Sequence, residues 1–224
     1  MTKPIRNRAD GEVTRTRILE TAGALFAAMG YAETSSKSIA AQAEVDVASI
    51  NHHFGSRNGL YQKVLAEAHR RIVKLDDLLN IAQNPMPAPE KLRMFISILV
   101  KTAKDDSGWH TKVLAREMLA PSSNLQMLLT EELQPKLAVL LSILSEITGI
   151  PKGDPALLRC LISTAAPCLM LVVASNGLPG PAQQVLGMSH DVLTSHLYSF
   201  AIAGLQSIGD DYRSEFNTTD ILQK

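Results

Sequence analysis

SIAAQAEVDVASINHHFGSRNGLY, residues 38–61, decides how the chain is read. Ile39, Ala40 and Ala43 fall on one face of a short helix, and Glu44-Val45-Asp46 breaks it. A second short helix then carries Ile50 and Phe54 four residues apart, on one side. Two short helices cross tightly only where the contact residue is small, and Ala40 supplies that. The spacing therefore predicts helix, turn, helix over 36–54. Val47, Ala48, Asn51 and His52 share the opposite face, which is small, polar and free of acidic side chains. Such a face can enter a major groove, where Asn can bond adenine in bidentate fashion. Ser36 and Lys37 stand at the positive end of the first of these helices, and Arg57 at the start of the next one. These are places suited to backbone phosphate. The other reading is a compact helical corner with an incidental polar face.

Helical periodicity continues on both sides. Val13, Ile18, Leu19, Ala22, Leu25, Phe26 and Met29 predict a first helix over roughly 12–29, stopped by Gly30. Thr34, Ser35 and Ser36 offer N-caps for a second helix near 36–43, and a third covers about 47–53. Ser56 caps a fourth, reaching about Ile81. Three prolines in Asn84–Glu90 make the clearest break. Further helices are expected over roughly 89–105 and 109–119, and Pro121-Ser122-Ser123 starts another helical stretch that reaches Gly149 with a break near Pro135. Asp154-Pro155 opens one that reaches about Ser175, with a kink at Pro167. The segment GLPGPAQQVLG reads as a loop, and Ser189 caps a last long helix over roughly 190–207. No alternating strand pattern and no internal repeat is present, so the fold class is all-α.

Composition bounds the rest. The 224 residues are enough for a substantial core, and formal net charge is zero, which argues against indiscriminate binding to polyanions. Residues 1–71 hold ten Lys/Arg against seven Asp/Glu, and the remainder holds twelve against fifteen, so a mildly basic head precedes an acidic body. Cys160 and Cys168 on one helix lie about 12 Å apart, too far for a disulfide. Free thiols fit a reducing cytoplasm. The opening MTKPIRNRADGEVTR has no apolar stretch, so no signal peptide is expected. The most apolar segment, 165–174, reads as too short to span a bilayer. The expectation is a cytoplasmic protein with no membrane partner.

Residues 12–61 resemble the N-terminal domain of the TetR family of transcriptional regulators. The resemblance rests on Ile18-Leu19, Ala22, Leu25-Phe26, Gly30-Tyr31, Thr34-Ser35-Ser36, Ile39-Ala40, Ala43, Val45, Ser49-Ile50, Phe54, Ser56, Arg57, Leu60 and Tyr61. It implies a three-helix helix-turn-helix domain over 1–56, ordered from about 12, that binds double-stranded DNA. It also implies that Ser36 and Lys37 meet DNA, that Val47, Ala48, Ser49, Asn51 and His52 form the recognition face with His53 beside them, and that Arg57 matches the family's usual lysine. Glu44 departs from the family, standing where glycine is usual. Left-handed backbone there costs a non-glycine residue about 1–2 kcal/mol, so the turn is either mildly strained or differently shaped. Asn51 and His53 replace frequent aromatics, which implies a different operator.

The resemblance implies a larger helical domain over 57–209 for ligand binding and dimerisation; the residues after Gly209, 210–224, read by themselves as a polar, frayed tail. The last two long helices would pair with those of a second copy. Leu157, Leu161, Ala165, Cys168, Leu169 and Val172 on one, and Val192, Leu193, Leu197, Phe200 and Leu205 on the other, suit burial. A single recognition helix reads few bases, which favours a homodimer on a palindromic operator over a partnerless core. The stretch from Trp109 to Ser122 resembles the R-E-x-x-x-P-[ST] segment of CecR-like members. As a small-molecule site, Trp109 and Met118 would give apolar wall and His110, Arg116 and Glu117 polar anchors. Alternatively Arg116 and Glu117 form a salt bridge tying helices together, and Trp109 is core. Met86, Met94, Met118, Met127 and Met170 suit an adaptable pocket or ordinary core equally.

No catalytic constellation is present: no phosphate-cradling glycine loop, no G-x-S-x-G, no H-E-x-x-H. His52-His53 make a poor chelating pair, and the cysteines lack zinc-knuckle spacing. The chain is expected to be no enzyme and to need no cofactor or metal. The reading is a ligand-responsive homodimeric repressor, in which an effector shifts the fourth helix and changes the separation of the two heads. The competing one is a small-molecule-binding helical module or scaffold without sequence-specific DNA binding.

Overall fold

A computed structural model describes residues 6–105, 108–177 and 179–222, with backbone alone at 6–9 and 216–222. Residues 1–5 of the opening segment and 223–224 of the expected tail lie outside the described residues. The described chain is helical and holds no strand. In order, its helices are α1 (Arg6–Met29), α2 (Ser36–Gln42), α3 (Val47–Phe54), α4 (Arg57–Ile72), α5 (Leu75–Gln83), α6 (Ala88–Lys104), α7 (Trp109–Leu119) and α8 (Leu125–Leu128). A π-helical turn, Leu129–Leu133, leads into α9 (Gln134–Thr148), followed by α10 (Pro155–Ala174), α11 (Pro181–Leu186) and α12 (His190–Leu222).

Contacts gather the chain into two compact units that do not follow chain order. The first holds the described residues through Ile72 and those from 108 to Glu132; the second holds Val73 to 105 and the described residues from Leu133. Compactness thus divides the chain differently from the linear domains 1–56 and 57–209. Helix α4 packs on α1, α3 and α7, and so belongs with the head. In this first unit Ile18, Ala22 and Phe26 of α1 meet Ile39 and Ala40 of α2, Ile50 of α3 and Leu60, Val64 and Leu65 of α4 in a core closed to water. In the second, α6 runs against α9, α10 and α12, and Leu92, Ile96, Leu99, Leu144, Leu157 and Cys168 are buried in its core.

Four expectations are corrected. The continuous helix to Ile81 is two helices, because the chain turns extended at Lys74 and restarts with Asp76 and Asp77 in the favourable first turn of α5. The supposed loop GLPGPAQQVLG contains α11, which Pro181 opens at the first helical position. The polar tail is helical, since α12 continues through Gly209 to Leu222. Gly209 is buried where α12 lies against the Thr148 backbone, and a Cβ there would collide with it. Tyr212 donates to Asp154 at 2.7 Å and Arg213 to the Thr148 carbonyl at 2.9 Å, which fastens that continuation. Finally, the apolar segment 165–174 is part of a 20-residue helix that is long and apolar enough to cross a membrane by length and composition. Pro167 lies within α10.

Candidate nucleic-acid interface

The geometry of α2 and α3 follows from their caps. Ser35 accepts from the Ser38 backbone N–H at 3.0 Å, while the Ser38 hydroxyl accepts from the Ser35 N–H at 3.1 Å, a reciprocal capping box. Buried Thr34 donates to the Gly30 carbonyl at 2.7 Å and ties the α1–α2 connection. The turn into α3 passes through Glu44 at φ 52°, so the left-handed conformation is kept without glycine. Gly55 at φ 75° then ends α3, and the Ser56 hydroxyl accepts from the Gly59 N–H at 3.0 Å. Gly59 lies so close to the Phe54 carbonyl that no side chain fits there.

Within this frame Ile50 is fully buried and α3 turns Val47, Ala48, Asn51 and His52 outward, all exposed. Ser49 and His53 are half-buried at the edges, and the rings of His52 and His53 meet edge to face, 5.1 Å apart. Lys37 is exposed on α2 and Ser36 half-buried. Arg57 is different. Its guanidinium donates to the carbonyls of Tyr31 at 3.1 Å and Thr34 at 2.6 Å and lies over the Tyr31 ring at 4.2 Å. It holds the α1–α2 connection onto α4 from inside the head.

The five residues considered as a ligand surface lie on α7 in the same unit, and the polar ones are engaged separately. Arg116 donates to the Ala27 carbonyl at 2.8 Å and the Ala28 carbonyl at 2.9 Å, a cation on the negative end of α1. Glu117 is 2% exposed. It accepts from the Tyr61 hydroxyl at 2.7 Å and from the Ser122 backbone and hydroxyl at 2.9 and 2.7 Å. Arg116 and Glu117 therefore form no salt bridge with each other; each ties α7 to a different helix. The Tyr61 pKa is raised, first by burial and then by the Glu117 carboxylate it donates to. Asn124 extends the network, its side-chain carbonyl accepting from Gln62 of α4 at 3.0 Å.

At the other end of α7, Trp109 donates to Glu20 at 2.8 Å, and Arg71 bonds Glu20 and lies over the indole at 4.9 Å. Burial tends to raise the Glu20 pKa, but the hydrogen bonds from Arg71 and Trp109 outweigh it and hold the carboxyl below its ordinary value. The indole covers Gly23, where any side chain would displace it. His110 has a buried Nδ1 with no partner, and burial lowers its pKa. Met118 is exposed. The Glu20–Arg71–Trp109 cluster and the pairing of Tyr61 with Glu117 were not foreseen; Gly23, a glycine inside a helical pattern and under the indole, was the available signal for the first.

Residues 18–64 match the family model described as "Bacterial regulatory proteins, tetR family". Residues 88–205, just over half of the chain, match the one described as "HTH-type transcriptional dual regulator CecR, C-terminal domain". This chain belongs to the TetR family and is of the CecR-like type. TetR-family regulators carry a helix-turn-helix DNA-binding head and a ligand-binding C-terminal domain, so the protein is a transcriptional regulator and not an enzyme. No individually curated protein matches it.

Solved structures agree in fold. The transcriptional regulator FadR from Bacillus subtilis, solved with stearoyl-CoA, is 19% identical with a TM-score of 0.65, covering 84% of this chain and 98% of its own. The fatty acid degradation regulator FadR from Bacillus halodurans is 16% identical with a TM-score of 0.66, covering 92% and 99%. A TetR-like regulator from Rhodococcus sp. RHA1 is 19% identical with a TM-score of 0.62, covering 86% and 96%. At these identities the likeness concerns the fold.

Proposed function

We propose that this TetR-family regulator acts in the cytoplasm as a homodimeric repressor, released from a palindromic operator by a small-molecule effector. The observation that carries the dimer is a pair of exposed apolar stripes. Helix α10 leaves Leu158, Ile162 and Met170 open, the last two 66% and 56% exposed, and α12 leaves Val192 and Phe200 open, the latter 73% exposed. Only a third of the apolar window of α10 is buried within the chain. Unpartnered apolar faces of this extent on long helices favour a protein partner, and a second copy offers the same two helices. Leu157, Cys168, Val172, Leu193 and Leu205, first considered for that interface, are buried in the chain's own core, so the pairing surface is the stripe beside them.

In this reading Val47, Ala48, Ser49, Asn51, His52 and His53 enter the major groove. Ser36, Lys37 and Arg57 lie toward the phosphates, with Arg57 acting mainly by holding the head together. Two heads on one dimer read two half-sites. Effector binding shifts the population between dimer geometries that can and cannot meet adjacent grooves. The α7 residues Arg116 and Glu117 serve to hold α1 and α4 as one body, and Trp109, His110 and Met118 flank that contact.

The test is selection of bound sequences from a random duplex pool at two salt concentrations, with sedimentation of the wild type and of Phe200→Glu. Recovery of a two-fold symmetric site by a dimer, lost in the monomeric variant, supports the reading. Weak, sequence-blind binding would favour a helical ligand-binding module that does not read DNA. Acyl-CoA thioesters, of the class bound by the B. subtilis relative, belong in the first effector panel.

A further inference from the structure

Helices α6 and α12 border a cleft of about 350 Å³ in the second unit, at the start of α12. Three features meet there, and the first is explained by neither DNA binding nor packing. First, Thr194 is 6% exposed, and its hydroxyl is buried with no hydrogen-bond partner. A buried hydroxyl without a partner destabilises a fold, and in native proteins such groups ordinarily meet a partner, a water or a ligand. Second, Arg93 lines the same cleft, braced by a 3.4 Å hydrogen bond to Ser195 and by the Tyr198 ring at 5.4 Å. Third, the cleft opens at the first turn of the 33-residue α12, where the Ser189 hydroxyl caps the Val192 N–H at 3.3 Å.

We propose that this cleft binds the oxyanion of a small organic acid, a carboxylate or a phosphate monoester. Arg93 and the Thr194 hydroxyl are its polar contacts, and the hydrocarbon part rests on Met94 and Ile98. A guanidinium gives two parallel N–H donors that match either oxyanion. Met94 is 42% exposed and thus open to an apolar group. Ser97 and His190 pin one wall: the imidazole Nε2 lies 3.2 Å from the Ser97 hydroxyl and 3.1 Å from its carbonyl. Asp191 sits on the rim, its side chain 98% exposed, where water and salt screen its repulsion of an anion. The volume suits a ligand with a short chain.

Binding is a property of the chain alone; that it moves operator affinity rests on the regulatory reading above. The experiment uses the full chain with methyl-labelled Met94 and Ile98, titrated with inorganic phosphate, hexanoate and hexyl phosphate in turn. Saturable shifts of both methyls with hexanoate or hexyl phosphate are expected, and the stronger of the two identifies the headgroup. Arg93→Ala should weaken binding on the order of tenfold. Thr194→Val should weaken it several-fold while raising the melting temperature of the free protein, because it removes an unsatisfied hydroxyl. Asp191→Asn should tighten it. Absence of saturable shifts with all three probes, or equal binding by Arg93→Ala, would overturn the proposal, as would a Thr194→Val protein that melts lower and binds normally. Binding without any change in operator affinity keeps the site and removes only its regulatory role.

Discussion

The outward face of α3 and the polar pair Arg116-Glu117 of α7 look alike as sequence and behave oppositely as structure. Each sets polar residues into a helix with an apolar side. On α3, Asn51 and His52 stand exposed. On α7, Arg116 covers the end of α1 and Glu117 holds Tyr61 and Ser122, so both act within the fold. A polar group open to solvent costs nothing to present to a partner, whereas a buried one must be matched inside the chain. Substitutions on α7 should therefore read out as stability, and substitutions on α3 as recognition.

The sharpest break is Glu117→Ala. It leaves the Tyr61 hydroxyl and two Ser122 donors without their acceptor and should cost roughly 3 kcal/mol in denaturant unfolding. An unfolding curve that does not move would deny α7 its holding role. Arg57→Ala blurs the comparison on purpose, since Arg57 is counted with the recognition residues but bonded like those of α7. It should cost about 1–2 kcal/mol of stability and weaken binding to every duplex alike. A loss of affinity with unfolding unchanged would return Arg57 to a direct phosphate contact.

Two smaller effects refine the picture. Glu20 is held below its ordinary carboxylate range, so its contribution is complete above that range and is lost as pH falls through its lower folded value. The melting difference between wild type and Glu20→Gln should accordingly shrink on acidification, and a difference independent of pH would count against the Arg71–Glu20–Trp109 arrangement. Glu44→Gly should stabilise the head by about 1 kcal/mol, because it relieves a left-handed non-glycine residue. A neutral or destabilising result would mean that Glu44 makes contacts which offset its backbone strain.

The head was legible in sequence because each of its signals is local. Ala40 at a crossing, Ile50 and Phe54 on one side and a polar face opposite are set by helical period within a few residues. The segment from Trp109 to Ser122 was legible only as unusual. Its partners Glu20, Ala27, Tyr61 and Arg71 lie tens of residues away, and one sequence does not show which distant groups a buried charge meets. The continuation of α12 past Gly209 was hidden for a related reason, since a glycine that ends a helix and one that lets two helices touch look the same without the neighbour. The break at Lys74 was legible in Asp76-Asp77, which mark a new helix start, but the apolar period ran across it and hid it.

The central claim is that the exposed face of α3 reads bases and takes no part in holding the fold. Affinity of Asn51→Ala for the selected site and for a scrambled duplex, measured at one salt concentration beside its unfolding curve, tests this most directly. The account predicts a loss of about 1–3 kcal/mol for the selected site. Scrambled-duplex binding should stay unchanged, and stability should hold within about 0.5 kcal/mol. Undiminished affinity for the selected site, or a loss of stability as large as that of Glu117→Ala, would contradict it.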